Sequence, residues 1–295
     1  MRALMFSLWA SVFFVVVSLL WGIAAGSQMI VFDGLYSLVS IALSGFAIGA
    51  RHTADKGADA RYPWGREIWE SIAVVVKSTA LAGLCVYGSV NAVREIFHGG
   101  RAVSVSSALA YAVTASLTSV VVALVLRRAA RGDSALVRAE AAEWMGDAML
   151  SLVTLAGFGV AAVLEATDHR YAARFVDPAL VIGVSLIYLW IPLGLFRSGF
   201  REILTMAPPE PMLHELRDLG ERIRARAGFE ESIVRASTVG SRVDVELAFV
   251  VGAAAARRDI DYFDGLRAEI DHDLHTLGHR YSTSVVFTAQ RRWVQ

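Results

Sequence analysis

Glu140, Glu143 and Asp147 stand three and four residues apart in a stretch that is otherwise apolar. That spacing puts three carboxylates on one face of an α-helix, and Ser151 and Thr154 extend the same stripe. Like charges held so close in a medium of low dielectric constant repel strongly unless a cation or protons intervene. Nearer the N-terminus, Asp33, Tyr36 and Ser40 repeat the offsets, with Ser37 and Ser44 close by. Two helices that turn such stripes toward each other make an oxygen-rich site, suited to a divalent metal ion rather than to an organic substrate. Other roles stay open for single members. Asp33 also reads as a cap near the helix end, Tyr36 and Ser40 as packing groups between helices, and Glu140 as a solvated residue at a helix terminus. Glu143 and Asp147 lie well inside the apolar run, where an ionisable group is costly and signals function.

Further polar residues interrupt apolar segments. Glu70 and Lys77, seven residues apart, share one helical face. A structural ion pair is the expectation for each: Glu70 holding the basic loop before it, Lys77 neutralising a carboxylate of another helix. The single Cys85 reads as an inert buried residue. His272, His275 and His279 fall on one face of the last helix, a spacing that suits a metal but also solvated surface histidines. No nucleophile–base pair and no phosphate-binding glycine loop stands out, which argues against an enzyme.

The elements that must position these groups are helices in lipid. Of 295 residues, 55% are hydrophobic and 19% charged, against roughly 25% charged in a soluble domain. Lys and Arg total 28, as do Asp and Glu, so no net charge draws the chain to nucleic acid. One cysteine excludes an internal disulfide framework. Apolar runs cover Leu8 to Gly26, Gln28 to Ala50, Ile68 to Arg94, Val103 to Leu126, Leu136 to Leu164 and Phe175 to Phe196. Each is long enough to span a bilayer, which takes about 20 residues. The first reads as a retained helix rather than a secretory signal, because no cleavage site is convincing and a second span follows at once. Basic residues gather after the second run (Arg51, Lys56, Arg61, Arg66) and after the fourth (Arg127, Arg128, Arg131, Arg138). Cationic loops stay in the cytoplasm, which predicts both termini inside.

Past Leu204 the pattern changes. Ala207-Pro208-Pro209-Glu210-Pro211 is a stiff linker. Met212 to Ala227 shows helical periodicity, Ser232 to Thr238 and Arg242 to Val250 alternate as strands about Gly240-Ser241, Asp259 to Leu277 is helical and Ser282 to Ala289 is a strand. The expected fold is mainly α: a six-helix transmembrane domain over residues 1–206, then a small cytoplasmic α+β domain of αββαβ, ferredoxin-like order over residues 207–295.

Taken together these motifs resemble the cation diffusion facilitator family over essentially the whole chain. The resemblance rests on Asp33-Gly34-Leu35-Tyr36-Ser37-Leu38-Val39-Ser40, on Tyr62-Pro63-Trp64-Gly65-Arg66 with Glu70 after it, and on Glu143-x-x-x-Asp147. Val176-Asp177-Pro178 at the sixth span and Ala207-Pro208-Pro209-Glu210 at the junction add to it. The family's four metal-binding positions fall on Tyr36, Ser40, Glu143 and Asp147, of which only Asp147 keeps the commonest identity. No histidine lies in either motif, so oxygen replaces nitrogen, and manganese or iron(II) becomes more credible than zinc. Asp33, one turn from Tyr36, stands ready to supply a missing carboxylate.

The resemblance implies a homodimeric antiporter in a bacterial cytoplasmic (inner) membrane, exchanging a divalent cation of the zinc, manganese, iron, cobalt or cadmium class for protons. No resident cofactor and no nucleic-acid partner is expected. The metal site comprises Asp33, Tyr36, Ser40, Glu140, Glu143 and Asp147, and metal and protons compete for Glu143 and Asp147. The cytoplasmic domain serves dimerisation alone, or answers metal through carboxylates such as Asp244, Glu246 and Asp264. The alternative is a degenerate, non-transporting homologue acting as a membrane scaffold or regulatory subunit.

Overall fold

The computed structural model describes residues 2–129, 135–252, 255–278 and 280–294. Among them, six helices are long and apolar enough to cross a membrane. They are α1 (Arg2–Ala25), α2 (Gln28–Ala54), α3 (Ile68–Phe97), α4 (Val105–Ala129), α5 (Ala135–Ala166) and α7 (Val176–Ile203), the last preceded by a single turn, α6 (Arg170–Ala173). Most run past the apolar stretches that mark them. A helix closes its own backbone hydrogen bonds, so α2 continues through the polar Arg51 and His52. The helix α7 also continues through Pro192, which has no backbone N–H to donate.

The chain divides into two compact units, Met1–Gly45 with Lys77–Gly194, and Phe46–Val76 with Leu195–Gln295. In the first, small residues let helices approach closely. Ala108, Ala112 and Ala115 of α4 are buried in one cluster with Met29, Ile30 and Phe32 of α2, Phe158 of α5 and Val181 of α7. Gly34, beside Asp33, lies so near α1 that a Cβ there would stand 2.9 Å from the Ser18 side chain. Trp9, Phe13, Leu20, Ile23 and Trp190 turn outward, as lipid-facing residues do.

The second unit carries the C-terminal ends of α2 and α7 and the N-terminal end of α3 together with the α+β fold. That fold is α8 (Glu210–Ala227), β1 (Glu231–Val239), β2 (Arg242–Val250), α9 (Ile260–Thr276) and β3 (Arg280–Thr288). The sheet order is β1-β2-β3; β1 pairs antiparallel with β2 through the Gly240 turn, and β2 pairs parallel with β3. A parallel partner needs a crossover, and α9 supplies it. Val243, Val245, Leu247 and Phe249 alternate onto the face covered by Leu216, Leu219 and Ile223 of α8 and by Leu266, Ile270 and Leu274 of α9. Asp259 caps α9, accepting from the Tyr262 N–H at 3.1 Å. The expected αββαβ order is what the sheet and helices show. The helix α9 ends at Thr276, and His279 lies outside the described residues.

Candidate metal centre

The position of α2 is set at its N-terminus by a residue of α7. Asp177, 2% exposed, accepts from Ser27 Oγ at 2.6 Å and from the backbone N–H groups of Gln28 at 2.9 Å and Met29 at 3.2 Å. The first N–H groups of a helix have no partner within it, and a carboxylate answers both the donors and the helix dipole. Arg101 braces the same end: its Nε donates to the Gly26 carbonyl at 2.6 Å and its backbone N–H to Arg174 O at 2.8 Å.

One turn further along α2, the Asp33 Oδ2 accepts a hydrogen bond of 3.0 Å from Tyr111 Oη of α4. Ser18 Oγ of α1 lies 2.8 Å from Tyr111 Oη and 2.7 Å from the Phe14 carbonyl. With the Tyr111 proton given to Asp33, the single Ser18 proton divides between those two acceptors. Three helices thus meet at Asp33. On the same stripe, the Tyr36 ring packs 4.6 Å from that of Tyr188 of α7, centroid to centroid, and 6.2 Å from that of Phe32. Ser40 follows, partly buried.

From α5, partly buried Asp147 acts electrostatically on Tyr36, Tyr111 and Tyr188, and Asp33 acts on Tyr111 and Tyr188. The two carboxylates therefore lie within electrostatic reach of the same two tyrosines, Tyr111 and Tyr188. Glu140 and Glu143 have their backbone in α5, and their side chains lie outside the described residues. Among the described residues, no three His, Cys, Asp or Glu side chains gather as a metal cluster. The local chemistry is a carboxylate on each of two helices, with phenol and alcohol oxygens around them.

Residues 4–204 match the profile of the cation efflux transmembrane domain. The chain belongs to the cation diffusion facilitator family. It is a membrane transporter of divalent cations rather than an enzyme. The match spans all six long helices and stops before α8. No curated protein sequence matches the chain.

Several residues of this facilitator take roles that their spacing does not announce. Tyr111 and Tyr188 are single tyrosines in apolar helices, with no stripe of their own to mark them. Among the described residues, Lys77 forms no ion pair: its Nζ donates to Ser44 Oγ of α2 at 2.9 Å, one turn past Ser40. At the start of α3, buried Glu67 rather than Glu70 forms the ion pair, with Arg242 at 3.0 Å. Cys85 is buried in the apolar cluster of the first unit, in keeping with a small packing residue. In the α+β fold, His272 and His275 are exposed, and His275 Nδ1 sits 2.7 Å from the Asp271 carbonyl. Asp244 and Glu246 lie on the sheet face away from the helices and pair with Arg242 and Arg235 at 2.7 and 2.6 Å. Asp264 is on α9 and pairs with Arg267 at 2.5 Å, so these three carboxylates are not brought together.

Proposed function

We propose that the chain exports a divalent cation across the bacterial cytoplasmic membrane in exchange for protons, holding the ion between α2 and α5. One observation carries the reading: partly buried Asp33 stands where α1, α2 and α4 meet, held by Tyr111 at 3.0 Å on the stripe of Tyr36 and Ser40, and α5 contributes the partly buried Asp147. Asp33, Glu143 and Asp147 supply charge, Tyr36 and Ser40 neutral oxygens, and Glu140 an entry point near the end of α5. An all-oxygen set favours manganese or iron(II) among the divalent ions of this class. Protons and metal compete for the same carboxylate oxygens, so a site open alternately to each side exchanges one for the other. Arg51 and His52 at the end of α2 and Arg127 and Arg128 at the end of α4 support cytoplasmic termini. Family membership supports a homodimer.

Proteoliposomes with a trapped pH dye test the exchange. Wild type is expected to show proton flux driven by Mn2+ or Fe2+, abolished by Glu143→Ala with Asp147→Ala. Flux that survives both substitutions overturns the site.

The second reading is a non-transporting homologue. It is favoured by the neutral groups that Tyr36 and Ser40 place on the α2 stripe. A folded wild type that moves none of Mn2+, Fe2+, Zn2+, Co2+ and Cd2+ decides for it.

A further inference from the structure

Tyr111 belongs to neither polar stripe, yet it holds a carboxylate of the candidate site. Its Oη occupies Asp33 Oδ2 at 3.0 Å, and among the described residues no second donor reaches Asp33. Tyr111 is itself 3% exposed and fixed on two sides. Ser18 holds the hydroxyl at 2.8 Å, and the Trp21 and Phe14 rings stand 5.9 and 6.4 Å from the phenol ring. The phenol therefore cannot swing away while α1 and α4 stay packed. A carboxylate with one oxygen tied to a rigid donor presents the other oxygen alone. Small ions of the manganese and zinc kind accept such a single contact, whereas Ca2+, which takes six to eight oxygens, gains from two-oxygen contact. Groups that orient a ligand in this way tune metal choice without touching the metal.

We propose that Tyr111 is a specificity-determining positioning residue: it restricts Asp33 to one-oxygen contact and so selects small divalent ions against larger ones. The inference rests on Asp33 being part of the cation site, as proposed above.

The test is initial-rate uptake of Mn2+, Zn2+, Cd2+ and Ca2+ by full-length protein in proteoliposomes, comparing wild type with Tyr111→Phe, Ser18→Ala and Asp33→Ala. Tyr111→Phe keeps the ring and loses the hydroxyl. It is expected to raise the KM for Mn2+ about tenfold with Vmax nearly unchanged, while the KM for Ca2+ and Cd2+ falls, so that the selectivity ratio shifts. Ser18→Ala loosens the brace alone and shifts the ratio the same way, by less. A purely structural role moves all four ions by one factor, or lowers Vmax at constant KM, and either outcome overturns the proposal. If Asp33→Ala leaves every KM unchanged, the assignment of Asp33 to the site fails and the proposal with it. If Asp33→Ala impairs uptake but Tyr111→Phe keeps the wild-type ratios, the proposal alone fails. A folded wild type that moves none of the four ions, nor Fe2+ or Co2+, overturns the transport reading, and this inference falls with it.

Discussion

In the first compact unit, the partly buried Asp33 and Lys77 and the buried Asp177 are held by neutral dipoles. Asp33 meets one phenol, Lys77 one serine, and Asp177 a serine and two backbone N–H groups. In the second unit, arginines answer carboxylates directly: Arg291 with Glu231, Arg235 with Glu246, Arg226 with Glu269 and Arg267 with Asp264. Those arginines stand in water, where an ion pair gains little and strains little. A hydroxyl beside a carboxylate in a dry helix bundle is a different device. It satisfies the group without cancelling its charge, and so leaves the carboxylate able to attract a cation. One pair in the second unit breaks its pattern. Glu67 and Arg242 have side chains 6% and 17% exposed, and Arg242 also donates to the Trp64 carbonyl at 2.9 Å.

The contrast is sharpest where the most donors depend on one acceptor. Asp177→Ala leaves the Ser27 hydroxyl and two N–H groups of α2 unanswered, and the expected loss is about 3 kcal/mol. Thermal unfolding in detergent reads it, and a melting temperature equal to wild type would show that the cap contributes nothing. Next is the buried pair. Glu67→Gln and Arg242→Ala are each expected to cost about 2 kcal/mol, because each strands its partner. The double variant should cost clearly less than the sum, and strict additivity would mean the two residues do not interact.

The smallest effect belongs to the exposed pair. Arg291 holds the Glu231 carboxyl below its ordinary range through their hydrogen bond. Whatever this pair contributes is in place above the ordinary carboxylate range and is lost as pH falls through the depressed value. Arg291→Ala should leave the melting temperature at neutral pH unmoved and return Glu231 to ordinary titration, which NMR of the labelled carboxyl can follow. A large drop in melting temperature would erase the contrast between the two units.

Periodicity made the architecture legible. Six apolar runs and the alternation of Val243, Val245 and Leu247 lead directly to six long helices and the central strand. The Gly240 turn marks the hairpin, because its φ of +58° lies in the region that favours glycine. The two stripes were legible for the same reason, since spacing reports neighbours on one helix. It says nothing of neighbours on another. Tyr111 and Tyr188 were therefore silent, Lys77 was expected to meet a carboxylate, and Glu70 was expected to hold the basic loop where Glu67 forms the ion pair. Asp177 showed the same limit: its place at the start of the sixth span was visible, but not that it caps the second.

That cap has a kinematic consequence. Pinning α2 at Gln28 to α7 makes that end a fulcrum. At 1.5 Å of rise per residue, Asp33 sits about 7 Å along the lever arm and Ser44 about 24 Å. Any tilt about the pin sweeps Ser44 through roughly three times the arc of Asp33. The Lys77–Ser44 bond thus rides on the fast end of the lever, while the carboxylate at Asp33 moves about a third as far.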